Sequence, residues 1–178
     1  MKVLIISDTH GKSSCIQQIH DIVGNVDMLI HLGDVEGDEK LIHDLFGCEI
    51  HMVRGNCDYN PELPIYDEFN IGDKKAFITH GHRYSVNSGI SYLEELIDLE
   101  EYDFVMYGHT HRRDLTSYKG SYIVNPGSLA LPRDNRVGTY ILLDFDQHGT
   151  PFFAQNELPQ VDTPEEKKRK KFFEDLWG

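Results

Sequence analysis

The sequence predicts an α/β fold built on parallel strand–helix–strand units. Apolar, β-branched runs alternate with helix-periodic segments through the first half of the chain. Each of those runs closes on a short polar cluster, as strands do when they end in loops. The second half carries a hairpin signal and two closing strands. With 178 residues the chain is about one domain long, read as a single domain over 1–178 with a charged, aromatic appendage at 163–178.

Lys2 to Ser7 is a short apolar run ended by Asp8-Thr9-His10-Gly11, which predicts a buried strand entering a loop. Ser13 or Ser14 is placed to cap a helix carrying Ile16, Ile19, Ile22 and Val23, ended by Gly24-Asn25. Met28-Leu29-Ile30 makes a second strand, closed by His31-Leu32-Gly33-Asp34. A helix with Leu41, Ile42, Leu45 and Phe46 follows, then a third strand over Ile50 to Val53, closed by Arg54-Gly55-Asn56-Cys57-Asp58. Tyr66 to Ile71 and Lys75 to Thr79 flank Gly72-Asp73 as a hairpin and lead into His80-Gly81-His82. A helix around Ile90, Leu93, Leu96 and Ile97 precedes a strand over Phe104 to Tyr107 and the cluster Gly108-His109-Thr110-His111. Tyr122 to Val124 ends at Asn125-Pro126-Gly127-Ser128, and Thr139 to Phe145 pairs with Pro151 to Ala154 around Gln147-His148-Gly149.

Composition narrows the function. Hydrophobic residues make up 39% and charged residues 26%, which excludes disordered, collagenous and membrane-spanning classes. The net charge of −13 argues against long nucleic acids, whose binders need basic surface to release counterions. It leaves open a small phosphorylated substrate, which responds to the local field. Val3 to Ile6 is too short for a signal-peptide core, and Cys15, Cys48 and Cys57 form no CxxC pair. The expectation is a cytoplasmic protein with reduced thiols and no membrane association. Ten histidines stand out, because imidazole is both the commonest metal ligand and the usual acid–base group.

Their placement is more telling than their number. Asp8 and His10, Asp34, Asn56, His80, and His109 and His111 each follow a predicted strand, where α/β sheets hold their ligands. Taken singly, a Gly-Asp or Gly-Asn dipeptide is an ordinary turn and a histidine after a strand is ordinary surface. Taken jointly they form a set of carboxylate, amide and imidazole donors, suited to Mn, Fe, Zn or Ni rather than to thiolate-bound metals. The set is too large for one tetrahedral ion and sufficient for two if a carboxylate bridges. Asp8 with His10, and His109 with His111, converge only where the backbone bends at the strand end.

Asp8-Thr9-His10, Gly33-Asp34, Gly55-Asn56-Cys57-Asp58, His80-Gly81-His82 and Gly108-His109-Thr110-His111 together resemble the sequence blocks of the calcineurin-like metallophosphoesterase superfamily. Length, Gly-Asn-Cys-Asp and Asn125-Pro126-Gly127-Ser128 are most similar to its small bacterial and archaeal phosphodiesterases, the YfcE-like group. The resemblance spans Met1 to about Phe153 and implies a four-layer αββα sandwich with metals at the strand ends. Carried over by position, it implies one metal on Asp8, His10, Asp34 and His111, and a second on Asp34, Asn56, His80 and His109, with Asp34 bridging. Two divalent ions are implied, Mn²⁺ foremost with Fe, Ni, Zn or Mg as alternatives, held ~3.5–4 Å apart to activate a hydroxide for attack on phosphorus.

Many members of the superfamily carry histidine where this chain has Cys57, and that histidine assists the leaving group. A thiol replaces it poorly. The expected catalytic group therefore comprises Asp34, Asn56, Asp58 and His82, with Asp58 orienting a histidine or helping to form the site. Six arginines lie outside the tail, and Arg83, Arg112 and Arg133 are the candidates for substrate contact because guanidinium suits bidentate phosphate binding. Ser128 is read as part of a turn and Cys57 as a packing residue. The tail places Phe172, Phe173, Leu176 and Trp177 on one face of a possible helix that packs on its own domain or on a second subunit. The expected function is metal-dependent hydrolysis of small phosphodiesters by a homo-oligomer, dimer or tetramer. The alternatives are a metal-binding scaffold on the same fold, and a phosphomonoesterase or phosphatase.

Overall fold

A computed structural model describes residues 1–159; the aromatic and basic tail expected at 163–178 lies outside the described residues. The element order is β1 (Val3–Ile6), α1 (Ser13–Val23), β2 (Met28–His31), α2 (Glu39–Phe46), β3 (Glu49–Met52), β4 (Tyr66–Ile71), β5 (Lys74–Thr79), α3 (Ser91–Glu100), β6 (Phe104–Met106), β7 (Arg113–Tyr118), β8 (Ser121–Pro126), β9 (Thr139–Phe145) and β10 (Pro151–Glu157). A 3₁₀ turn over His82–Tyr84 separates β5 from α3.

Two five-stranded mixed sheets result, ordered β10-β9-β1-β2-β3 and β4-β5-β6-β8-β7. The parallel strands are β1, β2 and β3 in the first sheet and β5, β6 and β8 in the second. Antiparallel strands flank them: β9 and β10 on one sheet, β4 and β7 on the other.

Side-chain alternation explains the layering. Val3 and Ile5 of β1 join Met28, Ile30, Ile78, Phe104, Met106 and Val124 in a core between the sheets. Leu4 and Ile6 point the other way, onto Ile16 and Ile19 of α1 and Ile42 and Phe46 of α2. On the far side Phe77, Val105 and Ile123 meet Leu93 and Ile97 of α3. Helix pair, sheet, sheet and helix are the four layers expected. Strands buried on both faces read as unbroken apolar runs, which is why β1, β2 and β6 were legible.

Two local expectations need correction. Neither serine caps α1: Lys12 precedes it without a side-chain cap, and Ser13 Oγ donates instead to Asp38 Oδ1 at 2.6 Å. The strand β7 was not foreseen. Its residues Arg-Asp-Leu-Thr-Ser-Tyr are mostly polar because it is a sheet edge with Leu115 facing outward. It closes on β8 through Lys119 and Gly120, both at positive φ (50° and 93°), the two-residue turn that suits strand twist. Among the described residues no helix is long and apolar enough to cross a membrane.

Candidate metal centre

Every candidate ligand follows one of the parallel strands. Asp8 and His10 follow β1, Asp34 follows β2, Asn56 follows β3, His80 follows β5, and His109 and His111 follow β6. The backbone bends anticipated there take a specific form. Asp8, His10, Asp34, His109 and His111 all adopt positive φ, between 48° and 66°. Side-chain-bearing residues seldom occupy that region, and surrounding structure must hold them there. Asp8 N–H donates to Gly33 O at 3.0 Å, and His10 N–H to Asp34 O at 2.9 Å, so the β1 and β2 loops brace each other. Close approach leaves no room for side chains between the loops. A Cβ on Gly33 would lie 2.7 Å from His80 Nδ1, and one on Gly55 would overlap the Asp34 carboxylate.

The expected ligands converge in two overlapping groups, beside a third made by His10, Glu36 and Cys57. Asp8, His10 and His111 form one, and Asp8, Asp34 and His80 the other, each offering ligand atoms within 4.8 Å of one another. His111 Nε2 lies 3.2 Å and His10 Nε2 4.0 Å from Asp8 Oδ1. Asp34 Oδ2 faces His80 Nε2 at 3.4 Å and His10 Nε2 at 3.9 Å, while its Oδ1 accepts the Cys57 N–H at 2.8 Å. One oxygen of Asp34 thus looks toward both groups. Asn56 Oδ1 is 3.1 Å from His80 Nε2.

Hydrogen bonds set the imidazole tautomers. His10 Nδ1 meets Glu36 Oε1 at 2.6 Å, His80 Nδ1 meets Leu32 O at 2.7 Å, and His111 Nδ1 meets Leu131 O at 2.6 Å. Carbonyl and carboxylate oxygens accept, so Nδ1 carries a proton in each ring and Nε2 is the atom turned inward. That is the arrangement of a metal-ligating histidine with an outer partner. Asp8 Oδ2 takes the Ser7 hydroxyl at 2.5 Å and the His109 N–H at 3.1 Å, whereas its buried Oδ1 has no hydrogen-bond partner. That oxygen lies 3.2 Å from His111 Nε2, so carboxylate and imidazole donors meet where a cation would fit. Burial alone would lower the pKa of His80 and His111, but the hydrogen bonds and charges of Asp34 and Asp8 raise both. Asp34 is held well below the usual carboxylate range, because His80 and the Cys57 N–H outweigh the opposing effect of burial.

His109 stands at the margin. Its ring centroid is 5.1 Å from that of His80, and Asn87 Nδ2 lies 2.9 Å from its Nε2. Burial and the neighbouring His80 lower its pKa. His82 sits on the 3₁₀ turn, with ring centroids 5.4 Å from His80 and 6.1 Å from His109, and its pKa is lowered by burial and by His80. Arg83 is exposed beside it. Arg112 and Arg133 line a pocket next to His109 and His111.

Of the two roles expected for Asp58, helping to form the site matches its contacts, while a catalytic or histidine-orienting role finds no hydrogen bond among the described residues to support it. Its two oxygens accept backbone N–H groups from Asp34 (2.9 Å), Val35 (2.7 Å), Glu36 (2.7 Å) and Gly55 (2.7 Å). All four acceptor contacts are to amides, so Asp58 ties the β2 loop to the β3 loop and positions Asp34. Cys57 is a poor acid as well as a poor nucleophile: burial, with Asp34 beside it, pushes its thiol up to about 12. Ser128 is consumed by the turn, donating to Asp8 O at 2.8 Å and accepting Leu131 N–H at 2.8 Å.

Sequence reasoning missed His31. It is fully buried at the end of β2, accepts Gly33 N–H on Nδ1 at 3.2 Å and contacts Thr9 Oγ1 through Nε2 at 3.0 Å. It braces the loops that carry Asp8 and Asp34 from beneath, and burial pushes its pKa down to about 4. Its position among apolar residues hid it.

Residues 1–148 match the family model of the calcineurin-like phosphoesterase superfamily domain. The chain belongs to this superfamily. Relatives include the probable metallophosphoesterase YsnB of Bacillus subtilis, 31% identical over 149 residues, covering 82% of this chain and 85% of YsnB. The phosphodiesterase MJ0936 of Methanocaldococcus jannaschii is 34% identical over 145 residues, covering 71% and 83% of the two chains. The phosphodiesterase YfcE of Escherichia coli K12 is 25% identical over 170 residues, covering 82% and 89%. Among solved structures, a Streptococcus pneumoniae protein described as a predicted phosphoesterase superposes with a TM-score of 0.72 at 25% identity, covering 87% of this chain and 97% of its own. Vps29 of Entamoeba histolytica shares the fold, with a TM-score of 0.70 at 22% identity over 89% and 100% of the chains. The superfamily is one of metal-dependent phosphoesterases, and this chain carries candidate ligand groups for a divalent metal.

Proposed function

We propose that this chain is a metal-dependent phosphodiesterase acting on small phosphodiesters. The observation that carries the reading is the convergence of His10 and His111 Nε2 on Asp8 Oδ1 and of His80 Nε2 on Asp34 Oδ2, each ring held from outside through Nδ1. Relatives named phosphodiesterases support the reaction class.

In this reading Asp8, His10, Asp34 and His111 hold one ion, and Asp34, Asn56, His80 and His109 hold the other. Mn²⁺ is the proposed occupant of both, since oxygen and imidazole donors suit it. Bound there, such a pair of cations supplies Lewis acidity, acidifying a water and neutralising phosphoryl oxygens. Asp34 spans both groups through Oδ2, and Cys57 N–H with the Asp58-bound loop keeps that oxygen aimed. Asn56 places an amide oxygen against His80. Arg112 and Arg133 supply positive charge beside His111. With Cys57 so weak an acid and burial lowering the pKa of His82, leaving-group protonation falls to water, so esters with good leaving groups react best. The chain acts in the cytoplasm as a homo-oligomer, without long nucleic acid or membrane as partner.

The test is hydrolysis of bis(p-nitrophenyl) phosphate by the full chain with Mn²⁺, with chelator, and by Asn56→Ala. Turnover with Mn²⁺, abolished by chelator and reduced at least tenfold in the variant, supports the reading. Metal binding without turnover on a broad ester panel would favour the scaffold role, and preference for p-nitrophenyl phosphate would favour a monoesterase.

A further inference from the structure

A cavity of about 390 Å³ opens beside the metal centre, between the loop after the 3₁₀ turn, the His109–His111 loop and the start of β7. Asn87, Thr110, Arg112, Arg113, Asp114 and Arg133 line it. Its lining touches the candidate ligands: Asn87 Nδ2 lies 2.9 Å from His109 Nε2, and Arg133 N–H donates to His111 O at 2.9 Å. Thr110 sits between His109 and His111, its Oγ1 accepting from buried Asn125 Nδ2 at 3.1 Å, so the wall is held from behind.

The charges are unevenly committed. Arg113 is taken, with Nε 3.1 Å from Asp134 Oδ2 and Nη1 3.9 Å from Glu157 Oε1. Asp114 is taken too, accepting Tyr107 OH at 2.9 Å and Thr116 Oγ1 at 2.7 Å. The side chains of Arg112 and Arg133 form no ion pair among the described residues. In a chain of net charge −13, two guanidiniums that line one cavity without an ion pair, against the single carboxylate of Asp114, leave it with a surplus of positive charge for an anionic ligand. A cavity of this size falls within the range of small-molecule sites, roughly 300–1,000 Å³.

We propose that this cavity is a subsite for a second phosphoryl group. The substrate class is then a phosphodiester that also bears a terminal phosphate, with the diester at the metal centre and the terminal phosphate clamped by Arg112 and Arg133. Guanidinium forks match phosphate oxygens two at a time. This inference rests on the phosphodiesterase reading and narrows it.

The experiment uses the full chain with Mn²⁺ and three substrates: bis(p-nitrophenyl) phosphate, p-nitrophenyl thymidine 5′-phosphate, and the latter carrying a 3′-phosphate. The last two release the same leaving group, so they differ only in the added charge. The subsite predicts that the 3′-phosphorylated diester has a kcat/KM at least tenfold higher, expressed mainly in KM. It also predicts that Arg112→Ala/Arg133→Ala erases the difference. Equal kcat/KM for the two thymidine diesters would overturn the subsite while leaving the phosphodiesterase reading intact, as would a preference that survives the double substitution. Failure to hydrolyse any of the three overturns the phosphodiesterase reading, and the subsite with it.

Discussion

Substituting Asp58 separates a residue that holds the site from one that does chemistry. Its Oδ1 takes the Val35 and Glu36 N–H groups and its Oδ2 those of Asp34 and Gly55. In Asp58→Asn one oxygen becomes an NH₂ group, so one pair of amides meets donors and loses both bonds. Hydrogen bonds to a charged group contribute roughly 1.5–3 kcal/mol each. At this half-buried position the lower figure applies to two bonds, giving a destabilisation of about 3 kcal/mol. For a chain of this length that corresponds to a fall in Tm of roughly 6–12 °C. Thermal unfolding followed by circular dichroism measures it, with Mn²⁺ titration on the same samples. Metal affinity should fall about 10–100-fold, as for other residues that orient ligands. If Asp58→Asn unfolds within 2 °C of the parent and loses activity all the same, Asp58 takes part in the reaction and the positioning argument is refuted.

Other outcomes follow from the same geometry. Adding Mn²⁺ at about 100 times its Kd should stabilise the chain by about 2.7 kcal/mol, read as a rise in Tm; an unchanged Tm refutes the site. Gly55→Ala, whose Cβ would overlap the Asp34 carboxylate, should weaken Mn²⁺ binding by about tenfold or more in a direct titration. His31 has a folded pKa of about 4 against 6.5 when exposed, so the unfolded chain takes up its proton first. Its contribution to stability is therefore present above pH 6.5 and drains away as pH falls toward 4. Denaturant titrations across that window should show His31→Gln losing less stability than the parent. Cys57→Ser should keep kcat/KM within about threefold of the parent, because a protonated thiol contributes little; a hundredfold loss would show the sulfur to be essential.

What could be read from the sequence followed burial and donor chemistry. Val3–Ile6 is buried on both faces and shows as an apolar run; Arg113–Tyr118 is an edge strand and shows almost nothing. Asp8, His10, Asp34, Asn56, His80, His109 and His111 stood out only as a set, because each follows a strand and their oxygen and imidazole donors complement one another. The groups that aim them did not. Leu32 O and Leu131 O fix two imidazoles through backbone atoms, which leave no trace in residue type. Asp58 looked catalytic because a carboxylate beside Asn56 is ambiguous until its four amide partners are seen. Likewise the separation of Arg113 from Arg112 depends on Asp134, which lies 21 residues away in sequence.

The positive φ angles at Asp8, His10, Asp34, His109 and His111 bear on how such a protein can change over generations. Each strained residue costs of order 1 kcal/mol or more, and glycine would sit there without that cost. Losing a ligand by drift to glycine therefore removes activity while relaxing the backbone. A lineage released from the need for hydrolysis could shed these residues singly and keep the sandwich, leaving its surfaces available for other work.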